Sequence, residues 1–189
     1  MKLNIGSNRR RVAGYTNLDG QKLGEVDIVH DLTKFPYPFD ENSIEDILMI
    51  EVLEHITFRK TQEVLKELYR ILKPEGRLYI QVPDCGSMMR MYLDDKIGEE
   101  MPHKVPYGMK NNDLLDIANK TGKWVHPTRW LMAFCGAQKP YNGEDYFHDI
   151  HKNIFTKERL EDDLMTAGFS RIDFGVDPLG WKIKVNCWK

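Results

Sequence analysis

The sequence predicts an α/β protein in which a mostly parallel sheet is covered on both faces by helices. Short apolar runs alternate with helical segments along the chain. One of these runs, residues 47–50, is apolar at consecutive positions, which is typical of a strand buried on both faces. The chain then closes on two strand-like segments joined by DPLG, a hairpin turn signal that adds one antiparallel strand.

The first half of the chain supplies most of the predicted strands, at residues 2–6, 15–19, 26–32 and 47–50. The stretch TFRKTQEVLKELYRILKPEG that follows is predicted to be a helix ended by Pro74 and Gly76. Its apolar residues recur at spacings of three and four and form one stripe: Val64, Leu65, Leu68, Ile71 and Leu72. Residues 77–84 alternate in polarity and are predicted to be the next strand.

Regular patterning is lost between residues 85 and 151, which we interpret as an irregular insert within the domain. Short helices are expected there near residues 114–118 and 126–136. Regularity returns with FTKERLEDDLMTAGF, a predicted helix that Thr156 caps and Gly168 ends. The segments RIDFGV and WKIKVNCW are the two closing strands, so residues 1–189 are expected to form a single domain.

Composition excludes several classes of protein. The net charge of −2 gives no basic footprint for a nucleic-acid partner. Three widely spaced cysteines fit a reducing compartment better than a disulfide framework or a zinc cluster. No apolar run approaches the ~20 residues of a membrane span, and Asn4 interrupts any signal-peptide core. We therefore expect a cytoplasmic protein with no membrane partner.

Carboxylates follow four of the predicted strands, as Asp19, Asp31, Glu51 and Asp84. Ligands of open α/β sheets bind at these carboxyl ends of the strands. Aspartate also favours turns, and for Asp84 that structural interpretation is preferred. A carboxylate can accept from both hydroxyls of a ribose, and a second one can accept from the amine of adenine. Gly6, Asp19 and Asp31 thus suggest an adenosine site.

The connection after Gly6 argues against a dinucleotide. The glycine pattern of dinucleotide-binding loops is absent, and only eight residues, 7–14, separate the first two strands. As a helix they would span ~12 Å, but returning along a five-residue strand needs ~17 Å. The first crossover helix is therefore predicted to be reduced or absent, and a diphosphate would lack its helix N-terminus. An adenosine ligand without phosphate, S-adenosylmethionine, fits better.

Four stretches, taken together, resemble class I S-adenosylmethionine-dependent methyltransferases, of the small type-11-like kind. They are LNIGSN, GYTNLD, DILMIEVLEHI leading into LYRILKPEGRLYIQVPD, and HKNIFTKERLEDDLMTAGF. The resemblance implies a Rossmann-like, doubly wound, seven-stranded sheet whose last strand is antiparallel. One departure is Asn8, which stands where the family has a second glycine; asparagine tolerates the left-handed backbone best among other residues. The short first crossover is the larger departure.

The resemblance also implies the cofactor-binding residues. Gly6, Ser7 and Asn8 would line the methionine part, Asp19 would hold the ribose, and Asp31 with Leu32 would contact the adenine. Glu51 would face the methionine end or the acceptor. The cofactor would be S-adenosylmethionine and its product S-adenosylhomocysteine.

His55, four residues beyond Glu51, is expected at the mouth of the cleft, so both are predicted as catalytic residues. An imidazole is the usual general base near neutral pH, although a capping or packing role for His55 stays open. His148 and His151 have a spacing compatible with metal ligation, but no third ligand follows from the sequence and no metal is predicted. The irregular insert at about residues 85–151 is expected to cover the acceptor, whose site is predicted at Trp130, Gln138, His148 and His151.

The sequence therefore predicts a methyltransferase that acts on a small-molecule acceptor. Two alternatives stay open: a nicotinamide-dependent oxidoreductase, and a methyltransferase-like binding module that has lost catalysis. The acceptor and the oligomeric state do not follow from the sequence.

Overall fold

A computed structural model describes residues 1–8, 11–24, 26–93, 150–178 and 180–189. Seven strands form one sheet in the order β3-β2-β1-β4-β5-β7-β6. All neighbours are parallel except β7, which runs antiparallel to both β5 and β6. The strands are β1 (Lys2–Ile5), β2 (Thr16–Asp19), β3 (Ile28–Val29), β4 (Ile44–Ile50), β5 (Leu72–Pro83), β6 (Arg171–Gly175) and β7 (Lys182–Trp188). The predicted fold class is confirmed.

Three helices and one 3₁₀ turn occur in the described part of the chain. They are the 3₁₀ turn (Leu53–His55), α1 (Phe58–Ile71), α2 (Cys85–Leu93) and α3 (Lys157–Ala167). The start of α3 is capped as predicted, because the Thr156 hydroxyl accepts from the backbone N–H of Arg159. Gly168 ends this helix in the left-handed conformation, which only glycine adopts without strain. Asp84 caps α2 by accepting from Ser87, so the turn interpretation of Asp84 holds.

A single core forms between one face of the sheet and the two helices α1 and α3. Cross-strand register aligns Leu3, Ile47, Leu78 and Cys187, all fully buried. Against them pack the apolar stripe of α1 and the inward residues Leu160 and Leu164 of α3. Burial of these apolar side chains is the main stabilising term of the fold.

The opposite face of the sheet is polar. Asp46 on β4 forms a two-point ion pair with Arg77 on β5 at 2.8 and 2.9 Å, and the Tyr15 hydroxyl donates to the same carboxylate. Burial opposes ionisation of Asp46, but the Arg77 and Tyr15 contacts outweigh it and hold the pKa of Asp46 below its ordinary value. Leu48, whose neighbours across the strands are Asn4 and Tyr79, is only half-buried. The prediction that residues 47–50 are buried on both faces was therefore wrong for this face.

The connection from β1 to β2 contains turns and no helix in its described residues, 6–8 and 11–15, as the distance argument predicted. It lies close to the sheet, where the backbone N–H of Val12 donates to the side chain of Asn17. The third strand is shorter than predicted, since only Ile28 and Val29 pair with β2. Within the described ranges, no helix combines the length and the apolar character needed to cross a bilayer.

Candidate active site

The sheet order reverses between β1 and β4, so the crevice for a ligand lies beyond the carboxyl ends of these two strands. Gly6 follows β1 and has a φ of +64°, which a side chain adopts only with strain. A Cβ on Gly6 would lie 2.2 Å from Cγ2 of Val52, which follows β4. The two loops therefore approach so closely that only glycine fits at position 6.

The next two residues connect this loop to the end of β2. The backbone N–H of Ser7 donates to the Leu18 carbonyl at 3.2 Å, and that of Asn8 donates to Asp19 Oδ2 at 2.8 Å. Asn8 has a φ of 48°, so asparagine does adopt the left-handed conformation here, as expected. Ser7 is 3% exposed, and its Oγ has no hydrogen-bond partner among the described residues.

Asp19 lies at the end of β2 and holds the turn around it. Its Oδ1 accepts from the backbone N–H of Gln21 at 3.0 Å, while Oδ2 accepts from Asn8. A carboxylate has about four acceptor positions, so these two bonds leave capacity for two donors from a ligand. Asp19 is therefore both anchored to the first loop and able to accept further hydrogen bonds.

Asp31 lies two residues beyond β3, at the same edge of the sheet. Its Oδ1 accepts from the backbone N–H and the hydroxyl of Thr33 at 2.9 and 2.8 Å. Partial desolvation opposes ionisation, but the Thr33 hydrogen bonds outweigh it and lower the pKa of Asp31. Leu32 is buried, and its carbonyl accepts from the hydroxyl of Tyr37 at 2.9 Å. This edge therefore presents a charged acceptor beside an apolar side chain.

Glu51 follows β4 with a φ of +56°, an uncommon conformation for a non-glycine residue. Its Oε1 lies 2.8 Å from Lys182 Nζ and accepts from Gln81 Nε2 at 3.1 Å. Sequence reasoning missed Lys182. Because β7 is antiparallel and Lys182 pairs with Pro83, the first residue of β7 lies at the carboxyl ends of the parallel strands. The hairpin signal before Lys182 could have located it there.

Glu54, in the 3₁₀ turn, is a second carboxylate that sequence reasoning missed. It is 1% exposed, and neither of its side-chain oxygens has a hydrogen-bond partner in the described part of the chain. Burial, followed by the charge of Glu51, raises the pKa of Glu54 to about 8. Its backbone carbonyl accepts from the N–H groups of Lys152 and Asn153, which brings the segment before α3 against the turn.

His55 and His151 meet across this contact. Their rings are edge to face with centroids 5.0 Å apart, and His55 Nδ1 lies 3.2 Å from the Ile150 carbonyl oxygen. Potential ligand atoms of Glu54, His55 and His151 lie within 4.8 Å of one another. The structure thus brings together two histidines for which the sequence suggested separate roles, one as catalytic and one in the acceptor site.

The other residues predicted to bind the acceptor, Trp130, Gln138 and His148, lie outside the described residues. So do the helices expected near residues 114–118 and 126–136.

The residues at the switch point suit S-adenosylmethionine. Gly6 lets the loop after β1 pack against Val52, Ser7 offers a buried hydroxyl without a partner in the described ranges, and Asp19 retains acceptor capacity. No helix follows Gly6 in residues 6–8 and 11–15, so the dipole that favours a diphosphate is missing there. The residues present therefore fit a positively charged nucleoside better than a dinucleotide.

Comparison with family models matches residues 10–80 to a family described as methyltransferase domain. A search of curated proteins finds no match to the chain. Among solved structures, the chain is similar to an S-adenosylmethionine-dependent methyltransferase from Thermotoga maritima, named as a possible histamine N-methyltransferase. Identity is 15%, coverage is 100% of this chain and 82% of that one, and the TM-score is 0.56.

Two further solved structures, both S-adenosylmethionine-dependent methyltransferases, have the same fold. For the Archaeoglobus fulgidus protein the identity is 11%, the coverage 100% of this chain and 85% of that chain, and the TM-score 0.56. For the Methanosarcina mazei protein the identity is 17%, the coverage 99% of this chain and 89% of that chain, and the TM-score 0.52. The predicted resemblance is confirmed: residues 10–80 match a methyltransferase-domain family, and the chain has the fold of the class I S-adenosylmethionine-dependent enzymes. S-adenosylmethionine is the cofactor that this resemblance implies.

Proposed function

We propose that this chain transfers a methyl group from S-adenosylmethionine to a small-molecule acceptor. The observation that supports the proposal most is the bond from the Asn8 N–H to Asp19, which joins the glycine loop to the acidic end of β2. This bond orients a carboxylate beside a backbone too close to Val52 for any side chain on Gly6. Such an arrangement suits a nucleoside whose ribose lies against the strand ends.

Each predicted cofactor-binding residue has a proposed role. Asp19 accepts from the two ribose hydroxyls, as the acceptor capacity of a carboxylate allows. Asp31 accepts from the exocyclic amine of adenine, and Leu32 packs against the ring. The Ser7 hydroxyl satisfies its hydrogen bond with the methionine part. Glu51, held by Lys182 and Gln81, faces the charged amino group of that part.

S-adenosylmethionine supplies an electrophilic methyl group on a sulfonium. The protein holds the acceptor in line with that methyl, because alignment of two reactants accounts for much of the acceleration of such a displacement. A base is needed only for a hydroxyl or a protonated amine. We assign the acceptor end of the cleft to His55 and His151, together with Trp130, Gln138 and His148 from the segment between residues 85 and 151.

Calorimetric titration of the full chain with S-adenosylhomocysteine tests the cofactor roles. Replacing Asp19 by Ala removes charge-assisted hydrogen bonding worth about 1.5–3 kcal/mol, so the dissociation constant should rise about 10- to 150-fold. Asp173→Ala is the matched control, since Asp173 is 60% exposed on the edge strand β6 and pairs with Arg171. Circular dichroism must show that both variants are folded.

Equal affinity in wild type and Asp19→Ala would contradict the proposed cofactor site. Methyl transfer itself requires a separate measurement, with labelled S-adenosylmethionine and a broad panel of small amines, phenols and carboxylic acids. Cofactor binding with no methylated product across that panel would favour the alternative of a binding module without catalysis.

A further inference from the structure

Glu54 has a buried carboxyl group beside the proposed acceptor site. Its carboxylate is buried, and neither oxygen has a hydrogen-bond donor among the residues that the structure describes. The nearby ammonium group of Lys182 is 2.8 Å from Glu51. A buried carboxylate without a donor is stable only when a proton or a cation neutralises it.

Two imidazoles lie next to this carboxylate. Ligand atoms from Glu54, His55 and His151 lie within 4.8 Å of one another, and they come from two segments of the chain that are far apart in sequence. Donor atoms in a tetrahedral zinc site lie about 3.3 Å apart, given metal–ligand bonds of about 2.0–2.1 Å. The ligand atoms lie within 4.8 Å of one another, so metal binding would require them to move closer together.

The orientation of His55 also suits a metal ligand. Its Nδ1 is 3.2 Å from the Ile150 carbonyl oxygen, so the tautomer with a proton on Nδ1 donates to that carbonyl. The lone pair is then on Nε2, which is the form in which imidazole binds metals. A backbone carbonyl behind the ring is a common way to orient a metal-binding histidine.

From these contacts we infer that Glu54, His55 and His151 form a binding site for a divalent transition-metal ion, with Zn²⁺ as the best match to one carboxylate and two imidazoles. Three protein ligands leave a coordination position open for water or for the acceptor. An acceptor hydroxyl on the metal would lose its proton to solvent water more readily, because a bound cation stabilises the oxyanion. The metal would then activate the acceptor hydroxyl in place of a general base. A metal in this position therefore favours an acceptor that is methylated on oxygen.

The test uses the full chain without an affinity tag, because a histidine tag binds zinc. After treatment with chelator and dialysis, Zn²⁺ alone is titrated in competition with a chromophoric indicator. We expect saturable binding at one equivalent in the wild type. His151→Ala and Glu54→Gln should each weaken it at least about tenfold. His30→Ala is the matched control and should bind as the wild type does, because His30 lies beyond β3 with its Nε2 at the Lys34 carbonyl.

Glu54→Gln conserves the volume of the side chain, so its circular dichroism and melting curve should report a folded protein. Substitution of Co²⁺ for Zn²⁺ gives a second readout, since the visible ligand-field spectrum should change in His151→Ala. The inference is overturned if the wild type binds no zinc, or if folded Glu54→Gln or His151→Ala binds it as tightly as the wild type. Zinc binding is measured without cofactor and S-adenosylhomocysteine binding without metal, so failure of one proposal is distinguishable from failure of the other.

Discussion

Replacing Gly6 by Ala tests the close approach of the loops after β1 and β4. Two costs add at this position. The left-handed φ of +64° costs a side chain about 1–2 kcal/mol. The new methyl would also lie 2.2 Å from Val52 Cγ2, and relieving such an overlap typically costs about 1–3 kcal/mol. The free energy of unfolding should therefore fall by about 2–5 kcal/mol.

Gly14 provides a matched control, because it has a φ of +81° but no atom within 4 Å of the position that a Cβ would occupy. Gly14→Ala should therefore show only the conformational cost of about 1–2 kcal/mol. In the double variant Gly6→Ala with Val52→Ala, the two closest overlaps, with the Val52 Cγ atoms, disappear and only the 3.2 Å contact with the Cβ of residue 52 is left. Its destabilisation should therefore be smaller than the sum of the single effects by about 1–3 kcal/mol. Urea unfolding of these variants, of Val52→Ala and of the wild type gives these differences.

Two results would refute this reasoning. One is a Gly6→Ala variant no less stable than Gly14→Ala, which would mean that Val52 yields without cost. The other is additivity of the Gly6 and Val52 effects within about 0.5 kcal/mol, because contacting residues that clash must couple. Either result would show that the loop has room for a side chain and that the ligand crevice is wider than the structure indicates.

Three further predictions concern the scaffold. Thr156→Ala should destabilise the protein by about 1 kcal/mol in urea unfolding, and Thr57→Ala by less, since only Thr156 makes a side-chain cap bond. The pKa of Asp46 is lowered in the folded protein, so its contribution to stability is present at neutral pH and is lost as pH falls below about 4. In urea unfolding, Asp46→Asn should therefore be less stable than the wild type at pH 7, and its free energy of unfolding should fall less on acidification. Burial raises the pKa of Cys85 to about 11 and that of Cys187 as well, so mass spectrometry should find both unalkylated by iodoacetamide at neutral pH in the native protein and alkylated in urea.

The order of strands and helices could be predicted because their periodicities are local. The stripe of α1 and the alternation of β5 are visible in the sequence. The helix occurs as predicted up to Ile71, but β5 begins at Leu72 and not at residue 77, so the start of the strand was predicted five residues too late. The absence of a crossover helix from residues 6–8 and 11–15 also followed from chain length, since residues 7–14 cannot return along β1 as a helix. Local periodicity and the length of the connecting segment were sufficient to predict these helices, strands and the first connection.

The polar face of the sheet could not be predicted in the same way. Leu48 lies within an apolar run, yet its neighbours across the strands are Asn4 and Tyr79. Register between strands decides which residues share a face, and register is not a local property of the sequence. A run of apolar residues therefore overstated the burial of β4.

The site was predicted where strand ends identify it and missed where other elements supply it. Asp19 and Glu51 follow strands directly, so the rule for α/β sheets found them. Glu54 lies in a short 3₁₀ turn without a periodic pattern, and nothing local indicates that its carboxylate is buried. Its contact with the segment around His151 joins residues far apart in the chain, which only the folded structure reveals.

The most direct measurement of the central claim compares two ligands on the same protein by calorimetry. S-adenosylhomocysteine and NADH both contain adenosine, but only NADH requires a diphosphate to lie over the loop after Gly6. We predict saturable binding of S-adenosylhomocysteine and weaker or undetectable binding of NADH. Tighter binding of NADH would contradict the proposed cofactor site and would favour a nicotinamide-dependent oxidoreductase.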